Sequence, residues 1–278
     1  MKQLFILFIA CIFGLFCKQD IYAQTTTNKG FDSIPVIQQG AQLIKLSGRF
    51  SFAEGPASDK YGTIYFTDQP NDNIWLYDTS GHLTLFMHKT GHSNGLYIDN
   101  SGNIIACADE KNELWVDQLG GIFFTDPYYQ RPYWKTNPTI KGQKLYYLAK
   151  GSRQAVVADQ SLSKPNGIAG TADGKYLYVS DIEADKTYRF QIDANGVLTN
   201  KQLFVLQGSD GLKLDKQGNV YLCGKGITIY NTGGKRIGYI PVPADWVGNA
   251  CFGGKDKNML FITASESVYL LQMTVKGM

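Results

Sequence analysis

Five polar residues recur at the same point of a repeated phrase: Glu54, Asn94, Asn166, Asp210 and Asn249, each opening a short apolar stretch. Carboxylates and amides offer hard oxygen donors, the kind taken by Ca²⁺, Mg²⁺ or Mn²⁺ and, less often, Zn²⁺. An ion held by few protein oxygens keeps positions open for water and for a substrate carbonyl, which suits ester chemistry. A carboxylate touching that water could take its proton. Singly, an Asn before Gly is more often a turn residue than a ligand. The residues become a site only if the fold brings them together. No other hydrolytic apparatus stands in the chain: there is no Gly-x-Ser-x-Gly and no His-Glu-x-x-His, and His82, His88 and His92 lack ligand spacing.

The elements that would position these anchors are strands. After each anchor comes an apolar run, then a turn rich in Asp, Gly and Asn, then a run of β-branched and aromatic residues: DKYGTIYFTD to Asp68, DNSGNIIACAD to Asp109, ADGKYLYVSD to Asp181, DKQGNVYLCG to Gly224 and KDKNMLFITA to Ala264. Gly62, Gly102, Gly174, Gly218 and Lys257 each stand eight positions after their anchor, where a hairpin turn calls for positive φ. Asp59, Asp99, Asp173 and Asp215 read as turn builders rather than ligands. Further strand-like runs, such as Asn73–Tyr77 and Leu83–Phe86, lie between the hairpins. Four strands in roughly forty residues is the arithmetic of a propeller blade. The fold class predicted is all-β, a six-bladed β-propeller. Its anchors begin the inner strands and converge near one end of the axis.

One interval breaks the pattern. Asn94 and Asn166 are 72 residues apart, and a hairpin ends between them at Ile122–Asp126. Counting back eight from Gly120 gives Asn112 as the sixth anchor. Asp109 precedes it by three residues, where Asp68 to Asn94 is 26 and Asp181 to Asp210 is 29. Blade two is therefore expected to lack its two outer strands, with Asn112–Trp115 serving as the channel strand of blade three. Three residues span about 10 Å, comparable to the spacing of packed sheets. The consequence is an exposed strand edge and bared apolar surface.

The ends and the bulk composition bound the function. Lys2, the apolar run Leu4–Phe16 and Ile21-Tyr22-Ala23 read as a signal peptide over 1–23, followed by a disordered linker over 24–35 and the propeller over 36–278. The apolar run is too short to span a bilayer. Export to the periplasm or beyond is expected. Lipidation at Cys17 is disfavoured by Phe16, and no stable membrane insertion remains after cleavage. The chain has 278 residues and a net charge of +3, with Lys and Arg scattered, which argues against a nucleic-acid partner. Cys107, Cys223 and Cys251 are an odd, widely spaced set and read as small buried strand residues.

The segments FAEGP at Phe52, SNGLYID at Ser93, FTDPYY at Phe124, KPNGIA at Lys164, SDGLKLD at Ser209 and GNACFGG at Gly248 together resemble the gluconolactonase family, which includes senescence marker protein (regucalcin) and luciferin-regenerating enzyme. The likeness covers essentially the chain beyond the signal. It implies a six-bladed propeller with one divalent cation, Ca²⁺ foremost with Mg²⁺, Mn²⁺ or Zn²⁺ as alternatives. It implies Glu54, Asn166 and Asp210 as metal ligands, with Asp210 also the catalytic base. It implies Asn112 as substrate-binding, although Lys111 and Glu113 replace the Pro and Asp usual beside that Asn. Asn94 is a channel-lining candidate for substrate contact. The activity implied is opening of sugar-acid lactones, and a monomer acting on a small-molecule lactone is expected. The alternative is a non-catalytic or deletion-damaged propeller acting as a binding scaffold. The aromatic run Tyr128–Trp134 either walls the pocket or packs over its blade.

Overall fold

The computed structural model describes residues 34–99, 101–108, 113–129 and 143–278. The signal peptide, most of the linker, Asp109 and Asn112 lie outside the described residues. Ile34 and Pro35, assigned above to the linker, are described. Ile34 is buried with Val36 and Ile37 in the apolar core, so the folded body starts before residue 36.

Every described element of length is a strand, apart from a 3-10 turn at Gln69–Asn71. β1 (Ile44–Ser47) comes first. A four-stranded blade follows: β2 (Ala53–Ser58), β3 (Ile64–Asp68), β4 (Asn73–Tyr77) and β5 (Leu83–His88). Then comes a two-stranded sheet, β6 (Leu96–Ile98) and β7 (Ile104–Ala106). The next blade holds β8 (Leu114–Val116), β9 (Ile122–Asp126), β10 (Lys144–Leu148) and β11 (Val156–Asp159). After it stand β12 (Pro165–Gly170), β13 (Tyr176–Asp181), β14 (Lys186–Ile192) and β15 (Leu198–Val205). The following blade is β16 (Leu212–Leu214), β17 (Val220–Cys223), β18 (Ile227–Tyr230) and β19 (Arg236–Ile240). The last comprises β20 (Val247–Gly253), β21 (Met259–Ala264) and β22 (Ser267–Gln272), with β1 added antiparallel to β22 as its outer strand. The molecule is thus an all-β propeller with five four-stranded blades and one two-stranded sheet among the described residues.

Local chemistry explains the hairpins. Gly62, Gly102, Gly174 and Gly218 have positive φ, and Lys257 adopts the same left-handed geometry at φ 57°. Gly120, eight after Asn112, does so at φ 82°. The turn aspartates cap their loops: Asp59 Oδ1 accepts the Tyr61 and Thr63 N–H groups at 2.9 and 3.0 Å, and Asp215 Oδ1 accepts those of Gln217 and Asn219 at 2.9 and 3.0 Å.

Inner strands pack side by side round the axis: β2 touches β6, β6 touches β8, β8 touches β12, β12 touches β16, β16 touches β20 and β20 returns to β2. β8 pairs with β9, Leu114 facing Phe124, and not with β7. The stretch around Trp115 is therefore an inner strand. Apolar clusters fill the gaps between full blades, for example Phe123, Leu145, Ile168 and Leu177. Such burial is worth about 25 cal/mol per Å² of apolar surface. Flanking the two-stranded sheet, β5 exposes Phe86 and Met87, and β11 exposes Val156 and Val157. Cys107, Cys223 and Cys251 are free and buried.

Candidate functional site

The anchors arrive together because each sits at the start of an inner strand. Glu54 is 1% exposed, and one of its carboxylate oxygens accepts the N–H of Gly55. Gly55 has φ +50°, and a Cβ there would collide with the Asn94 carbonyl oxygen, so only glycine allows this approach. Gly248 lies against the other Glu54 oxygen, and a Cβ there would come within 2.8 Å of Oε1.

Asn166 is fully buried. Its Nδ2 donates to Asp210 Oδ1 at 2.9 Å and to the Tyr129 hydroxyl at 2.9 Å. That orientation leaves the amide oxygen turned away from both. Asp210, half-buried, accepts the Trp246 indole N–H on Oδ2 at 2.6 Å. Bonds to both carboxylate oxygens orient Asp210. Lys164 places its ammonium 4.1 Å from the Tyr129 ring centroid. Tyr129 thus walls the site, which resolves the first part of the aromatic run. Residues 130–134 lie outside the described set.

Electrostatics marks the cluster as a concentration of negative charge. Burial pushes the Glu54 carboxyl well above the usual glutamate range, and the charges of Asp210 and then Glu113 push it further. The Gly55 N–H and the Asn249 side chain oppose the rise. Such a carboxyl either keeps its proton or is balanced by a cation. The donor set fits a hard ion: Glu54 and Asp210 supply carboxylates, and Asn166 supplies an amide oxygen already oriented by its own N–H bonds. Among the described residues no three or more His, Cys, Asp and Glu side chains converge closely enough to hold a metal. The set therefore depends on the amide.

Of the sequence candidates, Asn166 and Asp210 are joined by a hydrogen bond, and the charge of Asp210 bears on the Glu54 carboxyl. Asn94 is buried beside them, its carbonyl oxygen accepting the Thr67 hydroxyl at 3.1 Å. Asn112 lies outside the described residues, and the next position, Glu113, is in the channel. Glu113 is 2% exposed, accepts Asn249 Nδ2 on one oxygen and pairs with Lys213 Nζ at 3.2 Å on the other. Sequence reasoning missed Glu113, Lys213 and Trp246 as site residues. A signal for Glu113 was available. The position after the anchor is Gly55, Gly95, Gly167, Gly211 and Ala250 in the other copies, and only here is it charged. Hydrogen bonding confirms the equivalence: the Glu113 carbonyl accepts from Thr125 as that of Gly95 does from Cys107 and that of Gly211 from Cys223. Nothing in the local sequence pointed to Trp246.

Comparison with known proteins adds the following. The family described as SMP-30/Gluconolactonase/LRE-like region matches residues 109–266. A gluconolactonase of Zymomonas mobilis is 30% identical over 230 residues, 75% of this chain. This chain spans 62% of that relative's length. A lactonase drp35 of Staphylococcus aureus strain MRSA252 is 29% identical over 276 residues, covering 82% of this chain and 83% of its own. Among solved structures, a gluconolactonase from Xanthomonas campestris superposes with TM-score 0.77 at 22% identity, covering 85% of this chain and 91% of its own. A calcium-binding regucalcin from Agrobacterium tumefaciens superposes with TM-score 0.72 at 19% identity, covering 84% and 94%. At those identities the two structures speak for the fold.

Proposed function

This chain belongs to the SMP-30/gluconolactonase/LRE-like family, and on that premise we propose that it is an exported, metal-dependent hydrolase that opens sugar-acid lactones. The observation that supports this reading is Asn166 bonded directly to Asp210, which Trp246 also holds, with the Asp210 charge bearing on the buried Glu54 carboxyl. The lactone substrate is supported by the gluconolactonase and lactonase relatives. The cation is supported by the chemistry of the donor set and by the calcium-binding neighbour. Ca²⁺ is the favoured ion, with Mg²⁺, Mn²⁺ and Zn²⁺ as alternatives.

Glu54, Asn166 and Asp210 are the residues that would hold it. When bound there, a divalent cation polarises an ester carbonyl and acidifies water. Asp210 is the general base. The Trp246 indole and the Asn166 amide fix both of its oxygens, so the carboxylate meets water without rotating. Asn166 holds its own amide plane through Asp210 and Tyr129. Tyr129 and Trp246 offer aromatic walls, suited to exclude solvent and to rest against the carbons of a sugar ring. Asn94 and Asn112 are the substrate-facing amides in this reading.

The two-stranded sheet β6–β7 is the remnant of a sixth blade, supported by the inner strands that pass unbroken from β2 through β6 to β8. Export and a monomeric state belong to the same proposal. Lys2 and the apolar segment after it support the first. Among the described residues no helix is long and apolar enough to cross a membrane.

The reduced sheet favours a second reading, a non-catalytic scaffold. Assays of gluconolactone opening by the folded protein, with and without chelator, separate the two. The enzyme reading expects turnover that chelator abolishes, that added Ca²⁺ restores and that Asp210→Ala lacks. Folded protein with no cation-dependent turnover, indistinguishable from Asp210→Ala, would leave the scaffold.

A further inference from the structure

Glu113 occupies the repeat position where the other copies carry Gly or Ala. The reason for small residues there is contact between inner strands: a Cβ on Gly55 would strike the Asn94 carbonyl, and one on Gly211 would strike the Asn249 side chain. A glutamate at this point must have a partner, and it has two. Asn249 donates to Oε1, its own Oδ1 anchored by the Ala250 N–H at 2.9 Å. Lys213, on β16 a hundred positions later in the chain, brings Nζ to Oε2 at 3.2 Å. The side chains of this ion pair are only 20% and 3% exposed, so solvent screens them little.

Glu113 reaches the site through Asn249, which donates to its Oε1 and follows Gly248, the residue packed against Glu54 Oε1. Three carboxylates and one ammonium leave the cluster of Glu54, Glu113, Asp210 and Lys213 with a formal charge of two negatives, which one divalent cation balances. We propose that Lys213 is the internal counter-ion of the cation site, setting the charge of the ion the channel accepts without ligating it. This rests on the cation reading above. A purely structural pair would tie β16 to β8 and leave the preference between ions untouched.

The test is equilibrium binding of Ca²⁺ and Tb³⁺ to the full chain, by calorimetry and by Tb³⁺ luminescence sensitised through tryptophan. Removing one positive charge near the ion should favour the trivalent ion, so Lys213→Met raises the Tb³⁺-to-Ca²⁺ affinity ratio by about tenfold or more. Glu113→Gln shifts the ratio the opposite way. The double variant Lys213→Met/Glu113→Gln restores the formal charge and returns the ratio to within about threefold of the starting protein. Should Lys213→Met fail to fold, the step from Glu113→Gln to the double variant reads the same charge. A ratio that stays within threefold across these variants, while the unaltered protein binds one Ca²⁺, overturns the role of Lys213 alone. Unaltered protein that takes up neither ion overturns the cation site itself.

Discussion

The indole N–H of Trp246 donates to Oδ2 of Asp210 at 2.6 Å, while the amide of Asn166 donates to Oδ1 of the same carboxylate at 2.9 Å. Asp210 is thereby clamped from two sides by residues 44 positions earlier and 36 later. Neither of these two donors carries charge.

Trp246→Phe keeps the aromatic wall and removes one half of the clamp. Partners of this kind usually change affinity or activity 10–100-fold, so kcat/KM for lactone opening is expected to fall by about that factor. The melting temperature should move by only a few degrees, about the effect of one lost hydrogen bond. Steady-state kinetics beside a thermal melt checks both. Unchanged kcat/KM would show that the clamp does not orient the base.

Glu54→Gln separates folding from function. The carboxylate is buried and repelled by Asp210 and Glu113. At a pH above its raised folded pKa, where the carboxylate is charged, neutralising it should raise the melting temperature of chelator-treated protein by about 2–4 °C, the effect of ~1 kcal/mol in a domain of this size. The same change should abolish the melting shift produced by added Ca²⁺. A variant that melts lower in chelator and still responds to Ca²⁺ contradicts both parts.

The pH dependence follows from the same residue. The folded state keeps the Glu54 proton to a higher pH than the unfolded chain does, because burial, Asp210 and Glu113 all raise its pKa. The stability this group contributes is therefore full below the ordinary glutamate pKa and is lost as pH rises through the folded value. In chelator, melting temperature should decline over that window, and Glu54→Gln should flatten the decline. With saturating Ca²⁺ the carboxylate is needed in its charged form, so uptake releases protons and affinity climbs with pH. Calorimetry in buffers of different ionisation enthalpy reads the proton release.

Gly55→Ala tests the closeness of the inner strands. The residue combines φ +50° with a Cβ position already taken by the Asn94 carbonyl. Backbone rather than a flexible side chain blocks it, so a loss of about 3 kcal/mol or more is expected, at the severe end for single changes. Denaturant unfolding measures it. Loss under about 1 kcal/mol would mean that β2 and the Asn94 segment can move apart freely.

Much of the architecture could be read in advance because it is local. A strand shows itself by runs of Tyr, Phe, Val and Ile such as Tyr176–Asp181, and a hairpin by one residue at positive φ. Even Lys257, the copy without glycine, takes the left-handed geometry that its place in the repeat calls for. The two-stranded sheet was legible as a deficit in spacing, since a missing pair of strands removes a fixed length of chain. The closing arrangement was not. β1 joins β22 across the whole chain, and nothing near Ile44–Ser47 names that partner.

The sequence by itself determined which side chains could reach the channel, because repeat phase puts each described anchor near the start of an inner strand. The choice of Glu54, Asn166 and Asp210 among them came from the resemblance to the family. Only the tertiary structure decided what each one faces there. The pairing of Glu113 with Lys213 and the clamp of Trp246 on Asp210 join residues 100 and 36 positions apart. Backbone torsions and turn chemistry act over a few residues, whereas contacts across an axis exist only once the ring of strands has closed and set their distances.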